Sequence, residues 1–212
     1  MSARFLFRYL VTAPVFLLAF AAQAEHPARE VTRQMEQGII ASMKLRGTVA
    51  DEQLYQQVEN LLVSTHDLSF ILGLTMGRNW RKLDSTQQNK LLKLFTELSV
   101  TTYLSRFRAF AGERFEFKSE EPINEDQYFV HSVLVTAKGE EITFDYHTRL
   151  TSGEWRIINI IANKVSDLAL KRAEYSSLMR EQGYNGLVAE MRRQIELNRK
   201  NISKNKKLKR PR

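Results

Sequence analysis

The sequence predicts an α+β fold in which helices pack around a curved antiparallel sheet of about four strands and enclose an apolar cavity. Three patterns predict it. Apolar residues recur at helical spacing from Val31 to Phe110, the period drops to two between Phe115 and Ala162, and helical spacing returns from Leu168 onward. Helices, then strands, then helices again segregate the two kinds of element instead of alternating them.

Val31, Met35, Ile39 and Met43 lie four apart and stop near Gly47, which predicts an amphipathic first helix. Asp51 is the expected N-cap of a second helix, with Leu54, Val58, Leu61 and Leu62 as its buried stripe. Ser64 with Asp67 predicts a capped, short third helix through Phe70, Ile71 and Leu74 to Gly77. The fourth start is clearer, since Ser85 and Gln88 stand in capping-box relation before an apolar run that extends to about Ala111. At about 100° per residue, Leu91, Leu94, Phe95 and Leu98 share one side, while Leu92, Tyr103, Phe107 and Phe110 fall on another. One helix thus meets two apolar environments: either it is wrapped deeply in its own core, or its aromatic side lines a cavity.

Phe115 and Phe117 alternate with charge, and Tyr128 to Thr136 then pairs with Glu141 to Leu150 across a turn at Lys138 and Gly139. Matching Thr136 to Glu141 sets Val135 against Ile142, Val133 against Phe144 and His131 against Tyr146 on an apolar face. Leu134 with Thr143, Ser132 with Asp145 and Val130 with His147 then form the half-wet face of an antiparallel sheet. Trp155 to Ala162 follows a turn at Ser152 and Gly153; its four isoleucines are apolar on both faces, so it is central or bulged. Ser166 or Asp167 caps the next helix, with Leu168, Tyr175 and Leu178 inward and Gly183 at its end. Leu187, Val188, Met191 and Ile195 mark the last helix.

A length of 212 residues with 43% hydrophobic and 26% charged content fits one domain with a sizeable core. The absence of cysteine excludes disulfides, thiolate metal sites and cysteine nucleophiles. Arg4 and Arg8, the apolar run Val11 to Phe20 and the small-residue motif Ala22, Gln23, Ala24 read as a signal peptide over residues 1–24, cleaved after Ala24. A mature domain over 25–198 and a basic, disordered tail over 199–212 complete the expected organisation. The formal net charge of +8 is concentrated at the ends: Arg192 to Arg212 carries +9 and the signal +2, leaving a mildly acidic body of −3. Export together with an acidic body argues against nucleic acid as a partner. The clustered basic end favours transient contact with anionic head groups, at roughly 1 kcal/mol per residue near such a surface.

The segments HDLSFILGLTMGRNWRKLDSTQQNKLLKLFTELSVTTYLSRF and WRIINIIANKVSDLALKRAEYSSLMREQGYNGLVAEM, with the paired strands between them, resemble the MlaC (toluene-tolerance) family of periplasmic phospholipid-binding proteins. The wording SVTTYLSRF and VSDLALKRAEY resembles its hopanoid-biosynthesis-associated branch, HpnM. The resemblance spans roughly Val31 to Ile195 and implies a four-stranded sheet wrapped by helices. It implies a cavity that takes the acyl chains of a phospholipid or hopanoid while the head group faces water. The implied role is a periplasmic carrier, expected to be monomeric, that shuttles lipid between an outer-membrane lipoprotein/porin complex and an inner-membrane ABC transporter without a cofactor. Trp80, Phe95, Leu98, Tyr103 and Phe107 match the family's helical core and cavity positions, and Phe144, Trp155 and Ile158 match its sheet. Phe70, Leu74, Val133, Val135 and Tyr146 complete the candidate lipid-binding set. Two positions depart from the pattern: Lys164 stands where a small residue is common, and Asn159 where an aspartate is frequent. A carrier needs no catalytic group. Burying a methylene gains about 0.8 kcal/mol, so one 16-carbon chain gains on the order of 12 kcal/mol by leaving water.

The alternative is a small periplasmic enzyme of similar helix-on-sheet build, with Asp145 and His147 as an acid/base pair and Ser132 opposite Asp145. No nucleophile elbow accompanies these residues, and His26, His66, His131 and His147 show no metal-ligand spacing.

Overall fold

The computed structural model describes residues 26–207, so the expected signal peptide and the last five residues lie outside it. Helix α1 (Pro27–Leu45) starts with proline at its first position, where no intrahelical N–H is lost, and buries Val31, Met35, Ile39 and Met43. Helix α2 (Asp51–Thr65) runs against it. The two approach closely at Gly38, where a Cβ would stand 2.5 Å from the Leu61 methyls. Asp51 is the first helical residue, not the cap; Ala50 occupies that position without a side-chain bond. Helix α3 (Leu68–Met76) is capped by Asp67, whose carboxylate accepts from the Phe70 N–H at 3.0 Å. Ser64 takes no part, because it lies inside α2 with its hydroxyl on the Leu61 carbonyl. A 3-10 turn (Gly77–Lys82) leads to helix α4 (Ser85–Arg106).

The capping box of α4 sits one residue before the expected pair. Asp84 accepts from the Gln87 N–H at 2.8 Å, and the Gln87 side chain accepts from the Asp84 N–H at 3.2 Å. A carboxylate is as good a cap as a hydroxyl and carries the charge that a helix N-terminus favours. Asp84→Ala is expected to cost about 1 kcal/mol, read as a lower urea midpoint with unchanged slope. The helix ends at Arg106 instead of near Ala111. Its terminal carbonyls are taken by the Arg46 guanidinium, which donates to those of Leu104 and Phe107.

Strands β1 (Arg114–Asn124), β2 (Gln127–Val135), β3 (Glu141–Thr151), β4 (Glu154–Ala162) and β5 (Val165–Ser166) form an open antiparallel meander in chain order. Four match the expected strands and the fifth is a two-residue edge. The β2–β3 register differs from the expected one by a single residue: Val135 pairs with Glu141, Leu134 with Ile142, Ser132 with Phe144 and Val130 with Tyr146. The turn explains it. Gly139 takes φ 81°, its N–H donates to the Thr136 carbonyl, and the Thr136 N–H donates to Glu140, which closes a three-residue loop where four were expected. A one-residue slip exchanges faces. Leu134, Ile142, Phe144 and Tyr146 therefore share the helix-covered face, while Val133 (beside Thr143) and His131 (beside Asp145) lie on the other.

Strand β4 is bulged. The pairing passes from His147–Asn159 to Thr148–Ile157, so Ile158 is the extra residue, and both Ile157 and Ile158 are buried. Asn163 and Lys164 both have positive φ, 47° and 67°, in the β4–β5 turn. A side chain is strained in that conformation, which a small residue relieves. Ser166 caps helix α5 (Asp167–Glu181), and Gly183 opens helix α6 (Gly183–Lys207). The last helix continues through residues expected to be disordered. It is held on α4 by Arg199 with Glu97 (2.6 Å) and Asn198 with Thr102 (3.0 Å), and Ile202 packs on the core.

The core is divided. One cluster joins α1 and α2 to Val100, Leu104, Val130, Tyr146 and Ile157. The other joins α3, α5 and α6 to Leu91, Phe95, Leu98 and Ile158. Helix α4 contributes to both, Leu91, Leu92, Leu94, Phe95 and Leu98 to the second and Val100, Tyr103 and Leu104 to the first; the division runs along its length, and Leu92, expected on the side of Tyr103, packs with Leu91.

Candidate functional site

A cavity of about 590 Å³ lies along the seam between the clusters. From the first come Met43, Leu62, Tyr103, Phe107, Phe144 and Ile160; from the second come Leu68, Ile71, Phe95, Ile158 and Leu168. Its aromatic wall is ordered by stacking, with Tyr103 and Phe107 ring centroids 5.7 Å apart. The rim mixes charge with apolar groups. Arg106 and Arg108 are exposed and form no ion pair or hydrogen bond among the described residues. Lys171 reaches Asp167 at 2.5 Å, and Val165 and Leu170 stand 52% and 59% exposed beside them. Such a site has an oily interior and a charged lip, on which Glu113 and Asp167 stand beside the cations.

One buried group breaks the apolar lining. His66, 8% exposed, ends α2 and is pinned to β4 by the backbone bond from the Asp67 N–H to the Ile157 carbonyl at 3.1 Å. Burial pushes its pKa down to about 4, with Asp167 opposing weakly. Burial likewise raises the Tyr103 hydroxyl above its ordinary value, and the Asp167 charge adds to this. Since an unfolded imidazole takes up a proton near pH 6.5 and the folded ring near 4, the unfolded state binds more protons in between. Stability is therefore complete above about pH 6.5 and falls as pH drops towards 4, by on the order of 3 kcal/mol. Urea midpoints at pH 7 and pH 4.5 should differ more in the native chain than in His66→Gln.

A sequence model of the MlaC protein family matches residues 33–193. The chain belongs to the MlaC protein family. The intermembrane phospholipid transport system binding protein MlaC of Haemophilus influenzae is 20% identical over 138 residues, 63% of this chain and 64% of that protein. The chain thus spans a little under two thirds of that relative's length. The solved structure of a phospholipid-binding protein from Ralstonia solanacearum in complex with a phospholipid superposes with a TM-score of 0.70 at 19% identity. It covers 81% of this chain and 98% of that one, which shows a shared fold.

In this MlaC-family chain, five of the twelve candidate residues line the cavity: Phe95, Tyr103, Phe107, Phe144 and Ile158. Leu98 and Tyr146 are buried, 3% and 2% exposed, but pack in the core behind the wall. Phe70, Leu74 and Trp80 lie outside the lining; Phe70 carries the Arg149 guanidinium 4.4 Å above its ring, and Trp80 covers Gly73. Val133 and Val135 were expected inward and face away, because of the register shift. The cavity residues not expected from sequence include Met43, Leu62, His66, Arg106 and Arg108.

The Asp145/His147/Ser132 arrangement is not assembled. Asp145 bonds His131 Nδ1 at 2.7 Å, His147 Nε2 meets Gln127 Oε1 at 2.8 Å, and Ser132 pairs with Phe144 on the opposite face. His131, expected beside Tyr146, lies instead across from Asp145. Asn159 acts locally, its side-chain oxygen accepting from Ser166 Oγ at 3.1 Å and the Leu168 N–H at 3.2 Å, which steadies the start of α5.

Proposed function

We propose that this chain is a periplasmic lipid carrier: acyl chains occupy the seam cavity, and a phosphate head group rests on Arg106, Arg108 and Lys171. The observation that carries this reading is the joining of an apolar cavity of about 590 Å³ to a rim with two guanidiniums that have no ion-pair partner among the described residues. A cavity of that size is in the range of small-ligand sites, about 300–1,000 Å³. Arginine forks fit phosphate oxygens bidentately. Membership of the MlaC family supports the same reading, as do the phospholipid-transport name of the Haemophilus relative and the phospholipid in the Ralstonia complex.

In this reading the carrier takes lipid from one membrane complex and yields it to another, an outer-membrane assembly and an inner-membrane ABC transporter being the two ends. Cargo is a glycerophospholipid or, following the likeness to the HpnM branch, a hopanoid. The test is an organic-solvent extract of the chain purified from a periplasmic fraction, analysed by mass spectrometry. Stoichiometric lipid is expected; a clean extract, or a protein that never leaves the cytoplasm, overturns the reading.

A further inference from the structure

The His66 side chain is chemically out of place in the cavity wall, and its hydrogen bonds fix its form. Thr65 Oγ1 donates its one proton to the Leu61 carbonyl at 2.7 Å, and the same oxygen lies 2.9 Å from His66 Nδ1. With the hydroxyl proton on the Leu61 carbonyl, Nδ1 carries the ring hydrogen and donates it to Thr65 Oγ1. Nε2 is then a bare lone pair without a hydrogen-bond partner among the described residues, and it has almost no accessible surface, so a guest reaches it by displacing a neighbouring side chain.

Several neighbouring donors are engaged elsewhere. Ser99 donates to the Phe95 carbonyl, Lys171 to Asp167 and Ser69 to Asp67. Arg156, across a smaller recess that also borders His66, donates to the Val63 and Ser64 carbonyls. The Tyr103 ring stands edge-on with its centroid 6.3 Å away, and no hydrogen bond joins its hydroxyl to His66. A buried acceptor left unpaired costs about 1–3 kcal/mol. An apolar residue would avoid that cost if the cargo were hydrocarbon throughout.

Resting on the carrier reading above, we propose that His66 is a specificity-determining acceptor: the cavity selects a lipid whose enclosed part carries a hydroxyl, which donates to Nε2. The hydroxyl can come from an acyl chain or from the glycerol of a single-chain lipid. The geometry asks for the donor and is indifferent to its source.

The test loads the delipidated full-length mature protein from equimolar lipid pairs and reads occupancy by native mass spectrometry. One pair is palmitoyl-lysophosphatidylcholine and its O-methyl ether; the other is a phosphatidylcholine with a mid-chain hydroxyl and its O-methyl ether. Dipalmitoylphosphatidylcholine is the plain control. The native protein should prefer at least one hydroxyl lipid over its ether by about tenfold, and the pair that responds names the source. His66→Phe should level that ratio and still load the plain lipid. A ratio near one in both pairs, or one unchanged in His66→Phe, overturns the proposal while leaving the carrier reading intact. Failure to load any lipid, the plain control included, overturns the carrier reading itself. Should His66→Phe not fold, the native protein still decides, because its Nε2 nitrogen resonance must move on loading the preferred hydroxyl lipid and not its ether.

Discussion

Phe107→Asp should empty the protein of co-purified lipid while leaving it folded. Phe107 follows the last turn of α4, lines the cavity and stacks on Tyr103; it packs at the edge of the first cluster and is only partly buried, so its replacement costs less packing than that of a fully buried residue. Its backbone N–H stays on the Tyr103 carbonyl at 2.8 Å whatever the side chain. Removing an aromatic surface from the ligand forfeits about 1.5–3 kcal/mol, and a carboxylate facing acyl chains adds a desolvation penalty. Together these predict a loss of retention of about a hundredfold or more. Native mass spectrometry measures occupancy and circular dichroism measures fold; unchanged occupancy would place the lipid elsewhere.

Glu36→Ala carries the largest expected stability loss. Arg29 and Glu36 pair at 2.9 Å within α1, with side chains 8% and 4% exposed, and Arg29 also lies 4.7 Å from the centre of the Phe117 ring. Thr32 sits between them and accepts from Arg29 at 3.1 Å. Deleting the carboxylate removes a buried partner of the Arg29 guanidinium, which costs about 3–5 kcal/mol. Glu36→Gln, which keeps a hydrogen-bond acceptor, should cost less. Arg33→Ala, in the exposed pair with Glu30, should move the urea midpoint little, since exposed pairs contribute about 0–1 kcal/mol. A Glu36→Ala midpoint as mild as that of Arg33→Ala would show that the pair is not structural.

What could be read from the sequence was what depends on local spacing. The stripe Val31, Met35, Ile39, Met43 places α1, and α4 was expected to meet two environments, which it does, although they divide it between its N- and C-terminal parts and not between the two sides read. Sheet register was not readable, because it turns on whether the chain closes a loop of three residues or four, and Gly139 in a left-handed conformation decides for three. That single choice sent Val133 and Val135 to the outer face and separated Ser132 from Asp145. Met43 and Leu62 look like ordinary core residues on their own helices, and only the arrangement of α1 and α2 against the sheet brings them to the cavity. The rim had a signal that went unused: Arg106 and Arg108 flank Phe107 at the end of the aromatic side. His66 also had one, as a lone imidazole between Thr65 and the cap of the most apolar helix.

Because α4 and β4 are each shared by two packed masses, the interior is parted along a seam and does not form one continuous core. In the carrier reading, a guest seated at that seam displaces less packing than one admitted into a single undivided interior, and it touches both masses at once. A loaded molecule should therefore resist heat and protease more than an empty one.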